Sequence, residues 1–339
     1  MNKKVACLMS GGLDSSVTAA LLKRAGFNVI GVFLKLADLP NFKKSEKRAK
    51  KIAKILKIPF LVLDLRKEFK KRIINYFLEG HKKGITPNPC VVCNKEIKFG
   101  LFLEKSLKLD ARYLVTGHYI RLRQRKLFKA KDRERDQSYF LWMLNQKQLE
   151  RTLFPLGNYT RKEVENLAKK FGLSFLLKMP KSVEICFIPE TVKGFLKRYL
   201  KPKTGKVVDV KDGVLGEHQG LAFYTIGQRK GIGLPGGPYW VLDKDFKKNT
   251  LIVTKNRRDL YKKELIVKKV NWISSREPKL PLKAMVKIRY RHNPALAIIY
   301  KLKDKRYKLI FKNSQQAITP GQSAVFYKAD ELLGGGIIC

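Results

Sequence analysis

Cysteine and histidine are scarce in this chain: 339 residues hold 5 cysteines and 4 histidines. The cysteines are Cys7, Cys90, Cys93, Cys186 and Cys339. Odd in number and scattered, they argue against a disulfide framework, and reduced thiols are expected. No second C-x-x-C and no H-x₃₋₅-H exists to complete a zinc site with Cys90 and Cys93, so no tightly bound metal is expected. Long apolar runs are missing as well. "ALAIIY" at 295–300 is among the longest, far short of the roughly 18 residues that suggest a membrane span. The start, "MNKKVACLMSGG", has too short an apolar segment for a secretory signal. A cytoplasmic protein without membrane association is expected. No G-x-x-x-x-G-K-[ST] occurs, which excludes a Walker-type ATPase.

Acidic residues are few beside the basic ones: 28 Asp and Glu face 73 Lys and Arg, a net charge of +45. A polyanionic partner would explain this, because each phosphate contact releases condensed counterions. A lysine-rich wetted surface would explain it equally. In "KKSEKRAKKIAKILK", Ala49, Ile52, Ala53 and Leu56 form an apolar stripe and the lysines fill the other face. The hydrophobic fraction of 44% is that of a globular chain, and the length suits two or three domains.

The first 120 residues alternate short apolar runs with helical patterns. "KVACLMS", "NVIGVFLKL", "PFLVLDL" and "ARYLVTGHY" read as strands, and "DSSVTAALLKRAG" as a helix closed by Gly26. Such alternation predicts a parallel sheet covered by helices, with ligands beyond the carboxyl ends of its strands. "SGGLDS" and "TGHY" both fall at such ends. A helix follows Thr160, with Val164, Leu167, Ala168 and Phe171 on one face. After Thr204 the pattern turns to strands: "GKVVDV", "AFYTIGQ", "YWVLDKD", "TLIVTKN", and later "AMVKIRYRH", "YKLIF" and "SAVFYKAD". A small sheet followed by a barrel is expected, with "REPKLPLK" (276–283) as connector.

"SGGLDSS" (10–16) links the first strand to the first helix. Small residues there let backbone N–H groups close on an anion at a helix N-terminus. Ser10, Ser15 and Ser16 can add hydroxyls, and Asp14 suits a metal-bound nucleotide or a cap. "GIGLPGG" (231–237) formally contains G-x-G-x-x-G, but Pro235 and Pro238 and the missing βαβ context make it a β loop. "TPNPCVVCN" (86–94) leaves three roles open for its thiols: metal ligand, redox dithiol or nucleophile.

"SGGLDSS" resembles the pyrophosphate loop of the N-type ATP pyrophosphatases (the PP-loop superfamily). "TPNPCVVCNKEIKF" (86–99), "TGHY" (116–119), "DQSYFL" (136–141), "EICFI" (184–188), "FYTIGQRKGIG" (223–233) and "TPGQSAVFY" (319–327) narrow the likeness. Together, in order along nearly the whole chain, they resemble the tRNA-specific 2-thiouridylases. The resemblance implies an α/β, parallel-sheet pyrophosphatase domain over 1–150 and 175–195. It also implies a small central tRNA-contacting domain over 151–174 and 196–264, and a C-terminal antiparallel β-barrel over 265–339.

The activity implied is ATP-dependent 2-thiolation of the wobble uridine of tRNA. ATP, with Mg²⁺, adenylates the C2 oxygen, and a persulfide on Cys186 delivers sulfur. Cys93 then frees it, ending in a Cys93–Cys186 disulfide. A persulfide donor, either a cysteine desulfurase or a relay protein, is the implied partner beside tRNA. For ATP the likeness points to Leu8, Met9, Ser10, Gly11, Gly12, Leu13, Asp14 and Ser15, with Leu34 and Gly117 beside them. For tRNA it points to Asn88, Pro89, Cys90, His118, Arg135, Asp136, Gln137, Arg289, Tyr290 and Gln322. Many members carry Asp at the position of Cys90, and Asp is frequent at that of Lys181, a cation expected to favour the Cys186 thiolate. Arg135 stands where Lys is common. "KIRYRH" (287–292) by itself reads as a strand with one basic face, or as a surface for phosphates and splayed bases. Two rival functions remain at this level: another PP-loop tRNA-modifying ligase, lysidine synthetase-like, and a non-catalytic tRNA-binding protein.

Overall fold

The computed structural model describes residues 3–179 and 185–339. Five parallel strands form the first sheet: β1 (Lys4–Leu8), β2 (Asn28–Lys35), β3 (Phe60–Asp64), β4 (Tyr113–Val115) and, further along the chain, Thr152–Leu153. Their order is β3-β2-β1-β4 with the last strand beside β4. Val5 and Cys7 of β1 point into one apolar layer, with Val17 of helix α1 (Leu13–Arg24) and Ile52 of α2 (Pro40–Ile55). Ala6, Val32 and Leu34 point into the other, against Phe69, Ile73 and Phe77. Strands covered on both faces need apolar residues throughout, which is why β1 and β2 read as continuous apolar runs. Cys7 is fully buried packing in this sheet.

Between β3 and β4 lie short helices α3 (Arg66–Phe69), α4 (Asn75–Lys82), α5 (Pro89–Cys93) and α6 (Phe102–Leu107). Wider π turns at Lys70–Ile74 and Asn94–Leu101 join them. A hairpin, β5 (Ile120–Arg123) and β6 (Lys126–Lys129), follows β4. Then come α7 (Gln146–Glu150), β7 (Thr152–Leu153) and α8 (Arg161–Lys170).

The grouping of 151–174 with the central domain needs correction. β7 extends the parallel sheet, and Val164 and Ala168 of α8 are buried in the layer that holds Val17 of α1. A two-residue strand carries no periodicity of its own, so only its pairing with Leu114 and Val115 assigns it. α8 itself begins where expected. Thr160 caps it with a reciprocal bond to Glu163, a capping box. Thr160→Ala should cost about 1 kcal/mol, read as a lower denaturant midpoint with unchanged slope.

Helix α9 (Val192–Tyr199) leads to a four-stranded sheet of β8 (Gly205–Val208), β9 (Val214–His218), β10 (Trp240–Asp245) and β11 (Thr250–Thr254), ordered β10-β11-β8-β9. "AFYTIGQ" is not one of its strands. Leu221–Phe223 forms a 3₁₀ turn between Gly220 (φ +123°) and Gly227 (φ +83°), and Gln228 N–H closes a turn on the Thr225 carbonyl. Its apolar residues Leu221, Phe223 and Tyr224 are buried from a loop, which imitates a strand in sequence.

The barrel consists of β12 (Tyr261–Trp272), β13 (Leu282–Lys287), β14 (Ala295–Lys301), β15 (Tyr307–Gln316), β16 (Ser323–Lys328) and β17 (Glu331–Ile338). It closes where β12 pairs with β17. β13 stops at Lys287, so "IRYRH" leaves the sheet as a turn rather than continuing as an alternating strand. β6 pairs with β17 through Phe128 and Leu127, stitching the first domain to the barrel. Among the described residues no helix is long and apolar enough to cross a membrane.

Candidate active site

The sheet order reverses at β1, and in open α/β sheets ligands bind at such a switch point, here beyond the carboxyl ends of β1 and β4. The loop after β1 is built to expose backbone N–H groups there. Gly12 is the N-cap of α1 and makes no side-chain cap bond, so the helix N-terminus is left to an outside acceptor. The serine hydroxyls hold the loop shape. Ser15 Oγ accepts from Ser10 N–H at 3.1 Å and donates to the Gly12 carbonyl at 3.1 Å. Ser16 Oγ also turns back onto that carbonyl, at 2.7 Å. Leu8, Met9, Leu13 and Leu34 support the loop from the core, and Met9 N–H donates to the Val32 carbonyl. Gly11 adopts φ +74°, and a Cβ there would lie 2.5 Å from the Ser45 carbonyl oxygen. Gly117 approaches from β4 so closely that a Cβ would lie 2.9 Å from the Asp14 carbonyl carbon and the Ser15 nitrogen.

Asp14 does not cap the helix. Its Oδ1 accepts from the Tyr119 hydroxyl at 2.9 Å and from Arg161 Nη1 at 3.0 Å. Burial raises its pKa, and Arg161 and Tyr119 oppose that rise. Arg48 Nε donates to the Gly11 carbonyl at 2.8 Å and so fixes the loop to α2. Neither Arg161 nor Arg48 stands out in sequence. Arg161 lies 147 positions from its partner, and Arg48 hides in the lysine-rich stretch. Tyr119, by contrast, was in plain sight at the end of "TGHY".

The thiols occupy the adjoining end of the crevice. Asn88 caps α5 through its Oδ1 on Val91 N–H at 3.4 Å, and Pro89 takes the first helical position, which needs no N–H. Cys90 and Cys93 therefore fall on successive turns. Cys93 is buried and its thiol is pushed up to about 12; Lys98 pulls the other way, and Cys186 and Cys90 add smaller upward pushes. Cys186 keeps exposed surface, yet protein crowded round its sulfur pushes it up to about 11, with Cys90 adding and Lys98 opposing. Burial raises Cys90 too, again against Lys98. All three are free thiols, and each feels the same lysine. Lys98 is thus a cation that favours all three thiolates; Lys181, expected to favour that of Cys186, lies outside the described residues. The structure holds Cys186 in place through neighbours: Asn41 Nδ2 donates to its carbonyl at 3.3 Å, and Phe187 packs on Phe69, Phe77 and Phe195.

Lys98 also links the thiols to the loop. Its Nζ lies 3.5 Å from His118 Nε2, while His118 Nδ1 lies 2.8 Å from Thr116 Oγ1. An ammonium can only donate, so Nε2 accepts and Nδ1–H donates to Thr116. Burial, aided by Lys98, holds the His118 pKa well below its ordinary value, and the ring is neutral at physiological pH. Lys98→Met should slow alkylation of Cys186 by iodoacetamide at every pH below the plateau. Removing a cation raises a thiol pKa, so the rate profile must move to higher pH. Peptide mass spectrometry of the labelled cysteine reads the shift.

The other residues singled out for tRNA are partly engaged within the protein. Asp136 is buried; its carboxylate accepts from Ala130 N–H at 2.9 Å and Ser138 Oγ at 2.6 Å. Gln137 Oε1 accepts from Tyr119 N–H at 2.9 Å, which braces the "TGHY" turn. Arg135 is exposed. Tyr290 lies in the turn after β13 with its ring 4.5 Å from Phe140 and Lys287 Nζ 5.3 Å from its centre. Arg289 Nη2 donates to the Gln316 carbonyl at 2.8 Å. Gln322 Nε2 donates to the Thr86 carbonyl at 2.9 Å, tying the barrel to the segment before Cys90. Among the described residues no group of three or more His, Cys, Asp or Glu side chains is placed to hold a metal ion.

A parallel α/β domain with a glycine-serine loop at its switch point, followed by two β modules, is the architecture of a nucleotide-loop enzyme with two appended β domains. Residues 3–190 match the tRNA methyl transferase HUP domain, 193–255 its PRC-barrel domain, and 262–338 the aminomethyltransferase beta-barrel domain. The chain is 44% identical to tRNA-specific 2-thiouridylase MnmA 2 of Thermoanaerobacter sp. (strain X514), covering 100% of this chain and 98% of that protein. It is 42% identical to tRNA-specific 2-thiouridylase MnmA of Clostridioides difficile (strain 630), with coverage of 100% and 98%. It is 45% identical to MnmA 1 of Caldanaerobacter subterraneus subsp. tengcongensis, again over 100% and 98%. The chain belongs to the tRNA-specific 2-thiouridylase family.

Proposed function

We propose that the protein replaces the C2 oxygen of the wobble uridine of tRNA by sulfur, using ATP. What carries the reading is a continuous chain of contacts. The loop meets Gly117, His118 follows Gly117 and touches Lys98, and Lys98 is felt by Cys90, Cys93 and Cys186. An anion site and a thiol pair on one crevice are what adenylation followed by sulfur transfer requires.

The α1 N-terminus and the loop N–H groups hold the β- and γ-phosphates of ATP. Asp14 is the carboxylate at hand for a Mg²⁺ that enters with those phosphates, and Arg161 beside it balances its charge. The uridine C2 oxygen attacks the α-phosphorus, pyrophosphate leaves, and a poor leaving group becomes AMP. The terminal sulfur of a Cys186 persulfide attacks C2 and AMP departs. The Cys93 thiolate then attacks the inner sulfur of Cys186; that S–S bond breaks, its electron pair stays on the sulfur bound to C2, and a Cys93–Cys186 disulfide remains. A dithiol reductant resets the pair, and a persulfide donor reloads Cys186. Cys90, where relatives often carry Asp, is a neutral thiol here and takes no proton in this scheme.

The test is nucleoside mass spectrometry on unmodified tRNA incubated with the protein, ATP, Mg²⁺, a persulfide donor and a dithiol reductant. ATP-dependent 2-thiouridine is expected. Pyrophosphate release without thiouridine would instead favour a PP-loop ligase, and tRNA binding without either would favour a non-catalytic binder.

A further inference from the structure

Beside the join of the central sheet and the barrel lies an open cleft of about 470 Å³ lined by Arg257, Arg258, Tyr261 and Ser314. A 3₁₀ turn, Arg257–Leu260, leads into β12, and Tyr261 at its start pairs with Gln316 of β15. None of the lining residues serves the chemistry above. Their volume lies within the roughly 300–1,000 Å³ usual for ligand sites.

Two observations give the cleft a ligand class. The first is its chemistry. All four lining residues are exposed, and Tyr261 leaves 44% of its surface in solvent. Among the described residues no carboxylate pairs with Arg257 or Arg258. Asp259, the acidic neighbour, is already bonded to Thr254 Oγ1 and Asn256 Nδ2. Two guanidinium groups, a hydroxyl and an open aromatic face match a phosphate joined to a base. The second is continuity with the rim of the active site. Arg257 Nη2 donates to Gln316 Oε1 at 2.9 Å, and Arg289 Nη2 donates to the carbonyl of the same residue at 2.8 Å. A row of cations and rings therefore runs from Lys287 and Tyr290 through Arg289 and Gln316 to Arg257 and Tyr261.

We propose that this cleft holds an unpaired nucleotide of the bound tRNA other than the reacting uridine, its base stacked on Tyr261 and its phosphate on Arg258. The proposal rests on the reading of tRNA as substrate. Gln316 holds the Arg257 fork in place beside it. A stacking contact would accept any base, so the cleft would add affinity and register rather than sequence choice.

The experiment measures tRNA affinity against salt for the full chain and for Arg258→Ala, Tyr261→Ala, Arg258→Lys and Tyr261→Phe. Arg258→Ala should weaken binding roughly tenfold and reduce the log–log salt slope by about 1. Tyr261→Ala should weaken it by about tenfold with the slope unchanged. Arg258→Lys and Tyr261→Phe should recover most of each loss, which a folding defect would not explain. Wild-type affinity and slope in both alanine variants, with thiolation by the wild type intact, would overturn the cleft and leave the reaction standing. A wild type that neither binds nor thiolates tRNA would sink the functional reading and this proposal with it.

Discussion

Cys186→Ser is expected to lower tRNA thiolation by at least roughly a thousandfold while tRNA affinity and pyrophosphate release persist. A serine hydroxyl cannot carry a sulfane sulfur, so the persulfide is never formed. The substitution should not disturb the fold. The segment is held by the buried Phe187 ring and by the bond from Asn41 to the Cys186 carbonyl, neither of which needs the sulfur. Cys93→Ser should behave differently. Its sulfur transfer halts after Cys186 has attacked, because no neighbouring thiolate breaks the S–S bond. A small external thiol can do that work, so dithiothreitol should restore Cys93→Ser more than Cys186→Ser. Equal rescue of the two, or undiminished thiolation by either, would reject the division of labour. Cys90→Ser should stay within a few-fold of wild type, since Cys90 has no step assigned to it.

The division between what could be read in the chain and what could not follows the range of the interactions. β1, its glycine-serine loop and α1 were legible because apolar spacing and glycine punctuation are local signals. Thr160 and Glu163 announced their helix for the same reason, as a capping box is written within four residues. The allegiance of that helix was not legible, because it depends on β7 finding β4 and on α8 meeting α1. "AFYTIGQ" misled because buried aromatic residues in a loop copy the composition of a strand. Of the two readings of "KIRYRH", the continuous strand does not hold, since β13 ends inside it at Lys287.

The site divides along the same line. Motif resemblance supplied the thiols and the loop, but not the ions that govern them. Lys98 lies within "CNKEIKF" yet drew no notice, because only the fold brings Cys186 beside it. Arg161 and Arg48 likewise meet Asp14 and Gly11 through tertiary contact alone. Several residues marked for tRNA prove to be braces as well. Asp136 spends its carboxylate on backbone and Ser138, and Gln137 holds the turn that carries Gly117 and His118. Loss of tRNA affinity on mutating either one would therefore not by itself distinguish contact from support.

Gly117→Ala is expected to lower tRNA-dependent pyrophosphate release by roughly a hundredfold, the scale of loss that a displacement of about 1 Å at a reacting centre produces. The added Cβ would lie 2.9 Å from backbone atoms of Asp14 and Ser15, and backbone cannot rotate aside as a side chain does. The α1 N-terminus must move, and with it the N–H groups that face the phosphates. Gly11→Ala should match or exceed that loss, because it meets the Ser45 carbonyl oxygen at 2.5 Å and also forces alanine into φ +74°. Both variants should keep persulfide loading on Cys186, which does not use ATP, and should bind tRNA with ordinary affinity. Measuring all three quantities on one preparation separates a broken loop from a broken fold. Pyrophosphate release at the wild-type rate in both would mean that the glycines shape the loop without the loop holding ATP. The nucleotide would then have to be sought elsewhere along the crevice.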